Sequence, residues 1–137
     1  MHSASEYVNN GVFTVQIYGV ELSFSKVSGI SSSVEYDTFT EGGGRMHLFV
    51  KPKTTAGVIT LERGISVVDV GFAMLLQAGC RVSDIVINLE KNGKTVECYY
   101  IESGLVTSWE LGELSGMAGG VAVKTFSIAH TGLKAYL

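Results

Sequence analysis

Apolar and polar residues alternate over residues 12–18 (VFTVQIY), with Phe13, Val15 and Ile17 on one side and Thr14, Gln16 and Tyr18 on the other. That period of two predicts a half-buried strand. Gly19, Val20 and Glu21 predict a turn, and residues 22–27 predict a returning strand with Leu22 and Phe24 on one face. Ser28 and Gly29 then punctuate the chain. Two further extended segments are predicted at residues 31–39 and 58–62. The stretch between them holds Gly42, Gly43, Gly44 and the single proline, Pro52. A compact domain rarely spends so long a connection without helix or strand signals of its own. Nor is the stretch purely polar, because Met46, Leu48, Phe49 and Val50 lie within it. Apolar side chains on a projection are costly in water unless something covers them. Residues 30–62 therefore read as an arm that docks on another copy of the chain or on a partner.

Residues 66–78 (SVVDVGFAMLLQA) carry the one helical pattern. Ser66 suits an N-cap and Asp69 stands where a capping-box acid would. Val67, Val70 and Met74, with Val68, Phe72 and Leu75, form a broad apolar face, and Gly79 supplies the stop. Gly71 inside this helix costs about 1 kcal/mol relative to alanine, so packing must hold it in place. Residues 84–89 and 95–101 flank Asn92 and Gly93, the strongest short hairpin signal, because both central positions favour positive φ. A further strand is predicted at 105–110, a glycine-rich loop at 111–120 and a long alternating strand at 121–130. The order is β-β-arm-β-α-β-β-β-β, without the strand–helix alternation of a parallel sheet. The fold class is mainly β: an antiparallel β sandwich or barrel with one flanking α-helix and a long extended hairpin arm, in one domain spanning residues 1–137.

Composition sharpens this picture. A chain of 137 residues predicts a single domain that buries roughly 68% of its unfolded surface. Only 17% of its residues are charged, so it has little with which to cover its surface, and some of that surface is expected to be buried by association. The formal net charge of −3 offers no basic field to nucleic-acid phosphates. Cys80 and Cys98 read as two buried thiols, with a disulfide as the alternative. Residues 1–11 are polar and expected to be mobile until docked, and they lack the basic and apolar regions of a signal peptide. No window approaches the roughly 18 apolar residues of a membrane span. The expectation is a chain made and folded in the cytoplasm.

No catalytic constellation emerges. His2, His47 and His130 have no ligand-spaced partners, and His130 reads as a structural or interface residue. Gly42–Gly44 is no phosphate loop, since no Lys-Ser/Thr follows it. No serine lies in a G-x-S-x-G context. Glu35, Asp37 and Glu41 are scattered along extended chain and read as a solvated or interfacial face. Tyr99 and Tyr100 occupy adjacent strand positions, so they face opposite ways and at most one is core. Neither an enzyme nor a cofactor or metal site is expected.

Three segments carry a family resemblance. Residues 13–20 (FTVQIYGV), 24–30 (FSKVSGI) and 34–36 (VEY) with 41–43 (EGG) resemble the opening of tail tube proteins from contractile phage tails and related injection systems. Residues 59–65 (ITLERGI) are similar to that family's strand ending in a basic residue and glycine. Residues 121–133 (VAVKTFSIAHTGL) resemble its C-terminal strand, which ends in Ala-His-x-Gly-Leu. The resemblance covers nearly the whole chain. Phe72 stands where members often carry tryptophan in the helix.

The resemblance implies a non-enzymatic structural protein of a phage tail, R-type bacteriocin or related particle. Six copies form a ring, each lending about four strands to one inner barrel, and rings stack into a tube inside a contractile sheath. The implied partners are further copies of itself, a sheath protein, baseplate and tail-terminator proteins, and DNA or protein cargo that passes without specific binding. The arm would reach a neighbouring subunit or ring through Glu35, Tyr36, Glu41, Gly42, Gly43, Arg45, Met46, Leu48, Phe49 and Arg63. The acidic balance is expected to line the channel in part, so that a polyanion slides rather than sticks. Alternatives within the fold are a minor tube-initiating or tube-terminating baseplate protein and a type VI secreted ring protein. From another class, a small ligand-binding β barrel would need a closed apolar pocket and no docking arm.

Overall fold

In the computed structural model of the protein, residues 12–64, 76–112 and 123–136 are described. The alternation at the start of the chain forms β1 (Val12–Ile17), with Val15 and Ile17 fully buried. Tyr18 and Gly19 both take positive φ (51° and 80°) and close a two-residue hairpin into β2 (Val20–Phe24). The turn is thus tighter than the expected Gly19–Glu21 one, and Val20 already pairs with Ile17. One residue, Ser25, separates β2 from β3 (Lys26–Ser28). The returning strand expected at 22–27 is therefore broken in two.

That break closes the sheet. The strand order is β2-β1-β7-β8-β9-β6-β3, antiparallel at every pairing, where β6 is Gly57–Gly64, β7 is Arg81–Lys91, β8 is Lys94–Leu111 and β9 is Val123–His130. β2 and β3 stand at opposite ends of this order yet are joined through Ser25, so the sheet curls into a barrel. At the seam the Ser25 backbone N–H and hydroxyl donate to the Glu62 carbonyl at 2.9 and 3.0 Å. Beside it the Phe24 and Phe126 rings meet edge to face, their centroids 6.4 Å apart. A short β10 (Leu133–Ala135) adds to β8.

The core is the inward-facing set from these strands, including Val15, Ile17, Ile59, Leu61, Ile85, Ile87, Ile101, Val106 and Ile128, all fully buried. Each such side chain contributes about 1.5–3 kcal/mol by leaving water, so alternation alone supplies a large driving force. Asn92 and Gly93 (φ 53° and 77°) form the expected hairpin between β7 and β8. β8, however, is one strand of 18 residues rather than the two expected at 95–101 and 105–110. Ser103 and Gly104 do not interrupt it. Gly104 is there because space is short: a Cβ would lie 2.9 Å from the Ile128 Cγ2.

Residues 66–75 of the helix expected over 66–78 lie outside the described residues, as do segment 1–11 and most of the glycine-rich loop, while residues 76–78 are turn rather than helix. Just beyond, Leu76 is fully buried, and Gly79 has positive φ (92°) and donates its N–H to the Val106 carbonyl at 2.7 Å. Cys80 and Cys98 are both free thiols, half-buried rather than buried. Tyr99 packs partly against the core. Tyr100 faces the other way, donates a hydrogen bond to Asp84 and meets the Tyr136 ring edge to face at 6.0 Å.

Two positions near the start of β6 yield tests. Gly29 has φ +85°, and a Cβ there would fall 2.3 Å from the Val58 carbonyl oxygen. Gly29→Ala should therefore cost roughly 2 kcal/mol or more in urea denaturation, since neither the backbone angle nor the neighbouring strand can yield. His130 is buried between its cross-strand partners Gly57 and Gly104, and neither ring nitrogen has a hydrogen-bond partner among the described residues. Burial first, then the Lys53 charge, lowers its pKa below the ordinary 6.5. The unfolded chain therefore binds this proton more readily, and stability should fall as pH drops below about 6.5 until the folded-state pKa is passed. His130→Phe should flatten that part of the stability–pH profile. An unchanged slope would contradict this account.

Candidate assembly surface

The chain leaves the barrel after Gly29 and rejoins it at Gly57. Between them β4 (Tyr36–Thr40) and β5 (Met46–Val50) pair into a two-stranded sheet of their own. The connection expected to lack a strand signal thus contains one, because Met46, Leu48 and Val50 alternate with His47 and Phe49. Residues 58–62 lie in the barrel strand β6, between β3 and β9. At the root of the hairpin the Lys51 N–H donates to the Glu35 carbonyl at 2.8 Å. At the tip the Glu41 N–H donates to the Arg45 carbonyl, and the Gly44 N–H to the Glu41 carbonyl, both at 2.9 Å. Gly44 takes positive φ (85°), so the glycine run is an ordered turn with one obligatory glycine.

Cross-strand register sorts the hairpin into two faces. Tyr36 lies opposite Val50, Thr38 opposite Leu48 and Thr40 opposite Met46. This face is aliphatic and open: Tyr36 is 61% exposed, Leu48 68% and Val50 71%. The other face carries Asp37 opposite Phe49 and Phe39 opposite His47. The His47 ring lies 6.5 Å from both the Phe39 and Phe49 rings, and its Nε2 lies 3.0 Å from the Glu41 carboxylate. An isolated two-stranded hairpin is at best marginally stable in water. This one exposes large apolar groups on both sides, each of which would contribute about 1.5–3 kcal/mol if fully covered.

The sequence-derived contact residues are distributed as follows. Glu35 sits at the root, Tyr36, Met46 and Leu48 on the aliphatic face, Phe49 on the aromatic face, and Glu41, Gly42, Gly43 and Arg45 at the tip. Arg63 is not on the hairpin. It lies half-buried in β6, its guanidinium 5.7 Å from the Phe24 ring centroid and its Nε–H donating to the Gly64 carbonyl at 3.3 Å. Phe39 and His47 lie on the same hairpin, as does Val50, which the sequence already marks as an apolar residue of the arm. The alternation of residues 46–50 was the signal that could have placed His47 on a strand.

Nothing in this arrangement activates a nucleophile. Tyr100 has its pKa pushed up to about 12, chiefly by its hydrogen bond to Asp84. Among the described residues no group of three or more His, Cys, Asp or Glu could hold a metal ion. Among the described residues no helix is long and apolar enough to cross a membrane. What the surface can do is bury itself.

Comparison with known proteins fits this picture. A search of curated proteins by sequence finds no match. Among solved structures, the chain is similar to a protein of the sheath–tube complex of an extracellular contractile injection system (PVC) in its extended state. The two share 17% identity over 99% of each chain, with a TM-score of 0.66. A protein of the sheath/tube terminator of the same kind of system matches with 16% identity and a TM-score of 0.66, over 91% of this chain and 93% of the other. Hcp1 from Flavobacterium johnsoniae matches with 13% identity and a TM-score of 0.57, over 90% of this chain and 94% of the other. At these identities the likeness shows a shared fold. The family model for T4-like virus tail tube protein gp19 matches residues 9–134, and the chain belongs to that family.

Proposed function

We propose that this protein is a non-enzymatic structural subunit of the inner tube of a contractile tail or injection apparatus. Its copies form hexameric rings that stack around a lumen conducting DNA or protein. The observation that carries the reading is the β4–β5 hairpin, a projection with apolar groups on both faces and no cover among the described residues. A neighbouring copy supplies that cover, through Tyr36, Leu48, Val50 and Met46 on one side and Phe39 and Phe49 on the other. Glu35, Glu41, Gly42, Gly43 and Arg45 sit at the root and tip of the same contact, and Arg63 meets a neighbour at the barrel. The assembled tube takes a sheath protein around it and baseplate and terminator proteins at its ends, within a virion tail or phage-tail-like particle. Similarity to a sheath/tube terminator as well as to a sheath–tube protein favours, as a second reading, a minor subunit that starts or ends the tube.

Light scattering after gel filtration, with negative-stain microscopy, tests the reading. The wild-type chain should give rings or tubes. The double variant Leu48→Ser/Val50→Ser should give a folded monomer whose stability changes by no more than about 0.5 kcal/mol, because both side chains are exposed in the subunit. A wild-type monomer at every concentration, with or without its tail partners, would refute the tube. Rings formed equally well by the double variant would remove the hairpin from the contact.

A further inference from the structure

Copies that meet at the β4–β5 hairpin bring a titratable group into their contact. His47 lies between the Phe39 and Phe49 rings at the centre of the aromatic face, and its Nε2 is 3.0 Å from the Glu41 carboxylate. That nitrogen is buried, yet the pair does not form an aligned hydrogen bond. A neutral imidazole therefore gains little from the approach. An imidazolium gains a charge attraction, and burial of the nitrogen limits how far water screens it.

Register sets a second carboxylate beside the same ring. Phe39 is the cross-strand partner of His47, so Asp37 and Glu41, two residues to either side, stand on its diagonals, within reach of long side chains. Glu41 has Arg45 across the hairpin and Glu35 has Lys51, the two pairs joined by backbone hydrogen bonds at 2.9 and 2.8 Å. Asp37 instead faces Phe49. It is the carboxylate of this face with a ring, rather than a cation, directly across from it. Lys53 stands farther off, at the root with Glu35 and Lys51. The aliphatic face adds no charge, since Thr38, Thr40, Met46, Leu48 and Val50 are neutral and Tyr36 is a phenol.

A positive charge on His47 balances Asp37. Without it the middle of the face stays negative. Covering a carboxylate that lacks a partner costs far more than covering one paired with a cation. The charged imidazole therefore suits a hairpin covered by a neighbour, and the neutral one suits a hairpin left in water. Imidazole is also the side chain that changes charge under mild conditions.

We propose that His47 is the proton-sensitive element of the contact between copies: each hairpin takes up a proton as a neighbour covers it, so mild acid tightens assembly. This rests on the tube reading. One proton per contact allows at most about tenfold in affinity per pH unit. The sign is opposite to that at His130, where burial disfavours the charged form and acid weakens the fold of the subunit itself.

The concentration at which half of the chain assembles, read by light scattering at about pH 8 and about pH 6, tests the proposal. Relative to His47→Gln, the wild-type value should fall by about threefold or more between the two. Taking the ratio removes the contribution of His130, which both chains carry. His47→Arg, whose charge is permanent, should assemble at the higher pH as readily as the wild type does at the lower one. This gain of assembly decides the matter by itself if His47→Gln fails to assemble. A ratio that does not move with pH, or a His47→Arg chain no readier than wild type at the higher pH, would overturn the role of His47 while leaving the tube intact. A wild-type chain that assembles at neither pH would overturn the tube and this inference together.

Discussion

The backbone hydrogen bonds of a β strand must be satisfied on both sides, and in this protein one residue decides how far a single copy can go. Ser25 lets the second strand turn out of its pairing with β1 and into a pairing with β6, and it delivers two hydrogen bonds to the Glu62 carbonyl at the corner. Without that switch the sheet would be open, with a bare edge at each end. With it, the inward-facing valines, leucines and isoleucines of seven strands enclose one core, and Phe24 and Phe126 plug the seam.

Closure is incomplete in two ways, and both lead outward from the subunit. β8 overruns β7, leaving a stretch of strand with one neighbour among the described residues. The β4–β5 hairpin leaves the barrel altogether and holds itself together by backbone pairing, with no buried residue of its own among those described. A free monomer would keep both features in water at a cost. The chain belongs to the T4-like tail tube family, and the proposed tube role gives that cost a purpose, because a subunit among many copies can leave surfaces for its neighbours to finish. The low charge of the chain belongs to the same economy, since surface that becomes interface needs few charges.

Much of this was legible in the chain itself. Period-two alternation marked β1, β7, the first half of β8 and β9, and Asn92-Gly93 marked the β7–β8 hairpin, because these signals depend on residues a few positions apart. The antiparallel β class followed from the absence of strand–helix alternation. The apolar residues of the arm were visible as well, and three family segments in order pointed to the tail tube proteins. Other features were less legible. Ser103-Gly104 looked like punctuation, although Gly104 is small because Ile128 stands over it. Residues 46–50 were read as connection, although they alternate as a strand does, because the glycines before them and the proline after them spoke more loudly.

Local pattern thus determined the elements, their antiparallel class and the presence of an uncovered apolar projection, since side-chain alternation and turn geometry are settled between near neighbours. Tertiary structure alone decided that β2 and β3 stand at opposite ends of one sheet, that Arg63 belongs to the barrel and His130 to its interior, and that β8 outruns its partner. Each of these depends on strand register between residues far apart in the chain. Register is set by how a whole core closes, which no short window of sequence contains.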